Sequence, residues 1–236
     1  MSVIKYAAIL ATVFLTSTVS AKQIWSDTSL SILQGSNYEV GDDERTVITF
    51  EHASGHSWGT TFTFFDRLHD NNLGGDEVYG EMSANITLFT PKEGFVKNLY
   101  FSPQVEFDSS SSGPGFNNYL YGVGVNLNVP MANFFNVTLF RRNNELYDDN
   151  NQLTIVWSFP LADGIVFDGF SDIVDSNDDA ASQYNITSQL KYDIGQHIGV
   201  TKGHLYAGVE YTYWHNKFGI DGITENNANF LIKWHL

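Results

Sequence analysis

The sequence has no cysteine, few charged residues and no long apolar segment after its first residues. Because none of the 236 residues is Cys, no disulfide can hold the fold together. Charged residues make up only 17% of the chain, whereas aromatic residues make up 15%. Beyond the N-terminal segment, no apolar run approaches the roughly 18 residues that a membrane helix needs. A helical membrane protein is therefore excluded, yet the composition indicates contact with an apolar environment.

Positive charge is also scarce, with 12 Lys and Arg against 27 Asp and Glu and a formal net charge of −15. A chain of this charge does not bind nucleic acid or an anionic membrane surface through charge. No cluster of His and acidic residues has the spacing of metal ligands. Gly122-x-Gly124 lies within a strand pattern and lacks the helix start that a dinucleotide site requires. We therefore expect neither a metal site nor a cofactor.

The first 21 residues have the pattern of a secretory signal peptide. Lys5 supplies a positive charge, an apolar run of about ten residues follows, and Val19 and Ala21 are the small residues expected before a cleavage site. We expect residues 1–21 to be removed and residues 22–236 to form one exported domain.

Most of the remaining chain alternates apolar and polar residues over segments of about ten. Between 78 and 88 one parity carries the residues Val78, Gly80, Met82, Ala84, Ile86 and Leu88, and the other carries Tyr79, Glu81, Ser83, Asn85 and Thr87. This is the period of a strand whose two faces meet different solvents. Counting less regular segments, we find twelve candidate strands, and an even number suits a closed antiparallel barrel.

The segments between these strands alternate in character. One end of the predicted barrel receives 34–43, 68–76, 109–116, 143–151, 173–181 and 216–227, which are long and acidic or rich in Gly and Ser. The other end receives mostly short turns, although 89–98 and 194–203 are longer. Among the short ones is "ASGHS" at 53–57, where Gly55 would give the backbone its freedom. We predict an all-β fold, a transmembrane antiparallel β-barrel of about 12 strands with up-and-down topology. The alternative is a soluble two-sheet sandwich. Its solvent-exposed face would be charged, whereas Ser, Thr, Asn, Gln, Gly and Tyr dominate the polar face of these strands.

Several short motifs, in order along the chain, resemble the nucleoside-specific channels of Gram-negative outer membranes, the Tsx-like family that includes OmpK-type porins. They are "W…FTFFD" at 58–66, "YGVGVNLNVP" at 121–130, "DGF" at 168–170, "LKYD" at 190–193 and "YTYWH" at 211–215. The resemblance implies an outer-membrane channel for passive uptake of nucleosides or similar small polar solutes. Its surroundings would be lipid and lipopolysaccharide, and its lumen would bind solutes weakly through aromatic and ionisable residues.

The polar parity of the strands provides the lumen candidates for substrate binding. They are Phe62, Phe64, Asp66, Glu51, Phe170, Asp172, Tyr206, Glu210 and Trp214. For Phe62 and Phe64 the periodicity slightly favours a lipid-facing position with Trp58, whereas the family resemblance favours the lumen, so both directions stay open. The acids either bond a solute or pair with Arg67, Arg141 or Lys191. Trp214 faces the lumen or anchors the outer rim.

Two other functions are compatible with the sequence. His52-Ala-Ser54 has a spacing that some hydrolases use, which would make the barrel a lipid hydrolase, although no acid is evident to orient the histidine. The acidic loops would serve an adhesion or phage-docking barrel. We expect no enzyme activity and predict a channel.

Overall fold

The computed structural model describes residues 22–111 and 113–236, so the predicted signal peptide lies outside the described residues. Within these two ranges no helix is long and apolar enough to cross a membrane. Two short 3-10 helices, Gly195–His197 and Lys217–Gly219, are present in connecting segments.

Twelve antiparallel strands form one closed barrel, which confirms the predicted fold class. Each strand pairs with its neighbours in sequence, and β1 pairs with β12 to close the sheet. The strands are β1 Gln23–Gly35, β2 Arg45–His56, β3 Gly59–Asp70, β4 Asp76–Phe89, β5 Val96–Ser110, β6 Phe116–Leu127, β7 Phe134–Asn143, β8 Asn150–Ala162, β9 Ile165–Val174, β10 Gln183–Asp193, β11 Leu205–His215 and β12 Thr224–His235.

The two faces of each strand differ sharply in exposure. In β1, Ser29 and Ser31 are 2% and 1% exposed, whereas Leu30 and Ile32, which alternate with them, are 43% and 57% exposed. Since directly paired residues of neighbouring strands point to the same side of a sheet, the register carries this assignment around the barrel. The outward face is rich in Leu, Ile, Val, Met and Tyr, which suits lipid, and the inward face is mostly polar.

Two glycines of β6 give space to large inward side chains. A Cβ atom at Gly124 would lie 2.4 Å from the ring of Tyr100, and one at Gly122 would lie 2.4 Å from the ring of Phe140. Tyr100 is buried, and its hydroxyl forms a 2.6 Å hydrogen bond with the hydroxyl of Thr138. The Gly-x-Gly pattern therefore reflects packing inside the barrel.

The connections alternate between the two ends of the barrel. We call the end with the chain termini the near end and the opposite one the far end. The far-end connections are 36–44, 71–75, 111–115, 144–149, 175–182 and 216–223, and the near-end connections are 57–58, 90–95, 128–133, 163–164 and 194–204. The longest connection, 194–204, is at the near end, and it corresponds to the segment 194–203 that the sequence analysis named as an exception to the short turns.

The predicted turn "ASGHS" is wrong. β2 continues to His56, and the turn consists of Ser57 and Trp58. The positive φ is at Gly59, with a value of 150°, where a Cβ atom would lie 1.9 Å from the carbonyl oxygen of Asn85. Gly55 is a strand residue, and its missing side chain makes room for an indole ring instead.

The orientation of β4 can be tested with two adjacent substitutions. Met82 faces outward and is 50% exposed, while Ser83 faces the lumen opposite Phe62 and has the same parity as Glu81. Met82→Arg should lower the free energy of unfolding by about 2–4 kcal/mol because it places a charge in lipid. Ser83→Arg should cost much less. Denaturant unfolding in lipid vesicles measures both, and equal losses would contradict the assigned faces.

Candidate functional site

The nine residues that the sequence selected all lie on the inward face. Phe64 lies opposite Glu51 on β2 and opposite Glu81 on β4. Phe62 and Asp66 share its parity, so the strand places both phenylalanines in the lumen and not against lipid. The others follow from the same register: Phe170 opposite Thr187, Asp172 opposite Asn185, Tyr206 opposite Lys233, Glu210 opposite Asn229 and Trp214 opposite Glu225. That these side chains bind a solute stays a prediction.

Four aromatic rings form a continuous series along one wall of the lumen, which we call the aromatic track. The ring centroids of Phe62 and Phe64 are 6.0 Å apart, those of Phe64 and Tyr79 are 5.8 Å apart, and those of Tyr79 and Phe116 are 6.4 Å apart. Tyr79 and Phe116 are not among the nine lumen candidates that the sequence suggested. The parity that Tyr79 shares with Glu81 was the available signal.

Each inward-facing Lys or Arg within the described ranges is paired with a carboxylate. The pairs are Arg45 with Asp70 at 2.9 Å, Arg142 with Glu106 at 2.7 Å, Lys191 with Asp168 at 2.6 Å, Lys233 with Glu51, and Lys217 with Glu225. Of the three cations proposed from the sequence, Lys191 pairs inside the barrel. Arg67 and Arg141 instead pair with Asp76 and Asp149 at exposed positions.

Four of the remaining inward carboxylates have no cation within salt-bridge distance among the described residues. These surplus carboxylates are Asp66, Glu81, Asp172 and Glu210. Three of them rely on neutral donors: Glu81 on Tyr79 and Gln104, Asp172 on Thr154 and Gln152, and Glu210 on Gln189 and Asn229. The lumen therefore has more carboxyl groups than cationic groups among the described residues.

Two of the surplus carboxylates lie on different walls of the lumen, Glu81 on β4 and Asp172 on β9. One oxygen of Asp66, Oδ1, is buried and has no hydrogen-bond partner within 22–111 and 113–236. A buried acceptor of this kind is costly unless water or a solute supplies a donor.

The first far-end loop, 36–44, folds into the lumen. The hydroxyl of Tyr38 donates a 3.0 Å hydrogen bond to Asn229 on the opposite side of the closing seam, and the ring packs on Leu33, Val47 and Leu231. The Arg45 guanidinium lies 5.4 Å from the ring centroid of Tyr38. Burial, together with nearby carboxylates, raises the pKa of Tyr38 well above its ordinary value, so the phenol stays neutral. Tyr38 narrows the far mouth.

Asp42 fixes this loop to the next one. Its carboxylate accepts hydrogen bonds from the backbone N–H groups of Glu44, Asn72 and Leu73 and from the side chain of Asn72. Desolvation opposes the charged form, but these bonds outweigh it and hold the pKa of Asp42 well below its usual range. The constriction at Tyr38 is therefore built on an anchored loop.

Trp214 and Tyr206 lie near opposite mouths of the barrel. The indole nitrogen of Trp214 donates a 2.8 Å hydrogen bond to Gln183, and the ring of Phe218 from loop 216–223 contacts the indole edge-on with centroids 4.8 Å apart. Tyr206 makes an edge contact with His235, with centroids 5.7 Å apart. Loop 216–223 therefore contacts part of the Trp214 indole.

The arrangement around Ser54 does not match a hydrolase triad. The Ser54 hydroxyl contacts Nε2 of His56 at 2.9 Å and the hydroxyl of Thr61 at 2.6 Å, while His52 bonds Thr28. The other ring nitrogen of His56, Nδ1, is buried without a partner among the residues that the structure describes. A general base needs an orienting group at that nitrogen. The described geometry offers no catalytic site here.

Solved structures with the same fold include two porins. The chain superimposes on the NanC porin with a TM-score of 0.58 and 13% identity, covering 88% of this chain and 100% of that one. It superimposes on the KdgM porin in complex with disordered oligogalacturonate with a TM-score of 0.52 and 9% identity, covering 89% and 98%. No protein-family model matches the sequence, and no curated protein matches it significantly. The likeness shows the fold, and the nucleoside-specific resemblance stays a prediction.

The constriction at Tyr38 predicts a change in conductance. Tyr38→Ala should raise the single-channel conductance in planar bilayers because the ring that occupies the far mouth is removed. Tyr38→Phe keeps the ring and should conduct like the wild type. Tyr147→Ala, at an exposed position in loop 144–149, is the control. A Tyr38→Ala conductance equal to that of the control would contradict the constriction.

The anchoring by Asp42 predicts a specific pattern of amide hydrogen exchange. Because the folded-state pKa is lowered, the stabilisation is present above the ordinary aspartate pKa of about 3.9 and is lost only as the pH falls through the lower folded value. The amides of Asn72 and Leu73 should therefore remain protected from pH 7 to about pH 4, after correction for intrinsic exchange rates.

Asp42→Ala should remove this protection throughout that range, whereas Asp43→Ala, which changes an exposed neighbour, should preserve it. Loss of wild-type protection between pH 6 and pH 5, still above the ordinary aspartate pKa of about 3.9, would show that the hydrogen bonds do not stabilise the carboxylate.

Proposed function

We propose that the protein is a passive outer-membrane channel of a Gram-negative bacterium for small uncharged polar solutes, and that nucleosides are the class its lumen fits best. The observation that carries the proposal is the aromatic track lying beside surplus carboxylates. Phe64 lies opposite the surplus carboxylate Glu81 on β4, and the surplus carboxylate Asp66 shares the inward face of β3 two residues further along. A ring-stacking surface and hydrogen-bond acceptors therefore lie within one side-chain length of each other.

The chemistry of a nucleoside suits this arrangement. Its flat base stacks on aromatic rings, an interaction of roughly 1–3 kcal/mol per base in single-stranded nucleic-acid sites. Its ribose hydroxyls can donate to carboxylates such as Asp66, whose buried Oδ1 lacks a partner among the described residues. Rings spaced about 6 Å apart let a solute pass from one to the next while each contact stays weak enough for release.

Charge and width set the limits of selectivity. An excess of carboxylates repels anions, so nucleotides should pass more slowly than nucleosides. The complex of the KdgM porin holds oligogalacturonate, an anionic solute. Because the present lumen has an excess of carboxylates, we do not expect it to take up that ligand. Barrels of eight strands are filled by side chains and those of sixteen to eighteen enclose open channels, so twelve strands favour a narrow passage.

Two neighbouring phenylalanines of β3 provide the test. Phe64 faces the lumen, and Phe65 faces outward, where it packs against Phe50 and Phe107. In planar bilayers, Phe64→Ala should weaken the block of ion current by adenosine on the order of tenfold, the value of one lost stacking contact. Phe65→Ala should leave the block unchanged.

Liposome swelling tests the wild-type channel with adenosine, AMP and an inert solute of the size of adenosine. Adenosine should enter faster than the inert solute, and AMP should enter more slowly than adenosine. If adenosine enters no faster than the inert solute, the proposed selectivity is wrong, and if no solute enters, the channel function itself is wrong.

A further inference from the structure

A cavity of about 260 Å³ lies at the near mouth of the barrel, away from the nine candidates of the sequence analysis. Its inward-facing lining includes Trp25, Thr60, Asn85, Asn98, Tyr100 and Asn126. The strand register brings Trp25 opposite Gly55, and Gly55 opposite Thr60. Among the residues that the structure describes, no Asp, Glu, Lys or Arg lines the cavity, and His56 is part of its lining.

The indole of Trp25 lies flat on the backbone of Gly55. A Cβ atom at Gly55 would lie 2.1, 2.5 and 2.7 Å from Nε1, Cε2 and Cδ1 of the indole, so the face of the five-membered ring covers this position. Trp25 is nonetheless 48% exposed. One face of the indole packs on the barrel wall at Gly55. The other face, which we call the platform, is available for stacking with a planar or apolar ring of a ligand.

Side-chain amides surround this platform, and part of their hydrogen-bonding capacity is unused. Asn126 donates a 2.6 Å hydrogen bond to Oδ1 of Asn98, and Ser102 donates a 2.7 Å hydrogen bond to Oδ1 of Asn85. The Nδ2 groups of Asn85 and Asn98 and Oδ1 of Asn126 make no hydrogen bond to another described residue. Donors and an acceptor are thus both available to a ligand.

We propose that this cavity is a binding site for one uncharged polar ring, a nucleoside or a neutral sugar, stacked on Trp25 and hydrogen-bonded by Asn85, Asn98 and Asn126. The proposal rests on the proposed channel function and adds a binding position at the near mouth, separate from the aromatic track. A described lining without carboxylate, lysine or arginine disfavours selection by charge, while a stacking face with amides recognises hydroxyl and amide groups.

The test is an equilibrium binding measurement on the detergent-solubilised barrel in the Phe64→Ala background, which weakens the aromatic track. Adenosine, glucose and AMP are the probes, and calorimetry is the readout. Adding Trp25→Ala should weaken binding of adenosine, glucose or both on the order of tenfold. Gly55→Ala should do the same because its methyl group displaces the indole. Trp234→Ala, which removes an outward-facing indole of β12, is the matched control.

Heat-modifiable migration of every variant verifies that the barrel is folded. Binding of adenosine or glucose that depends on both Trp25 and Gly55 supports the site, and the probe that responds identifies the ring. Binding that is unchanged in Trp25→Ala, absent from the starting variant, or tightest for AMP overturns it. Because binding is measured without transport, a failed conductance assay contradicts the channel alone, and Trp25-independent binding contradicts this site alone.

Discussion

The pairing of β1 with β12 is the contact on which the rest of the structure depends. In lipid no water is available to backbone N–H and C=O groups, so a sheet with a free edge would leave a row of them unsatisfied. The register of Ser29 to Gln34 against His235 to Phe230 removes both edges. Closure also gives every strand one face towards the lumen and one towards lipid. For this reason Leu30 and Ile32 face lipid while Ser29 and Ser31 face the lumen.

Closure concentrates polar groups in a confined lumen, where charges need partners. The inward cations all have carboxylate partners within the described ranges, and the surplus carboxylates use hydroxyls and amides. Breaking one side of a desolvated pair such as Arg142 with Glu106 leaves an uncompensated charge, so these pairs constrain the wall more than surface ion pairs do. The acidic balance that results is a property of the lumen and not only of the loops.

The shape of the lumen depends on glycines whose missing side chains leave space for large side chains of neighbouring strands. Glycines stand where a ring from the next strand occupies the space, as Gly124 does for Tyr100 and Gly55 does for Trp25. The same wall carries the aromatic track, so aromatic surface extends over much of one side. At the far mouth the ring of Tyr38 comes from a loop and not from the wall, which makes the two mouths chemically different.

The sequence by itself determined the strand number, the two faces of each regular strand and the inward parity of acids such as Glu51 and Glu210, because a period of two is a local property of the chain. It did not determine the direction of Phe62 and Phe64, since β3 carries phenylalanines of both parities and only pairing with β2 and β4 decides between them. Tertiary structure also decided four other features. These are the turn at Ser57 and Trp58, the position of Tyr79 and Phe116 in the aromatic track, the ion pairs, and the inward position of the Tyr38 ring. Each arises from register or contact between residues distant in sequence, and local alternation carries no information about which strand lies beside which side chain.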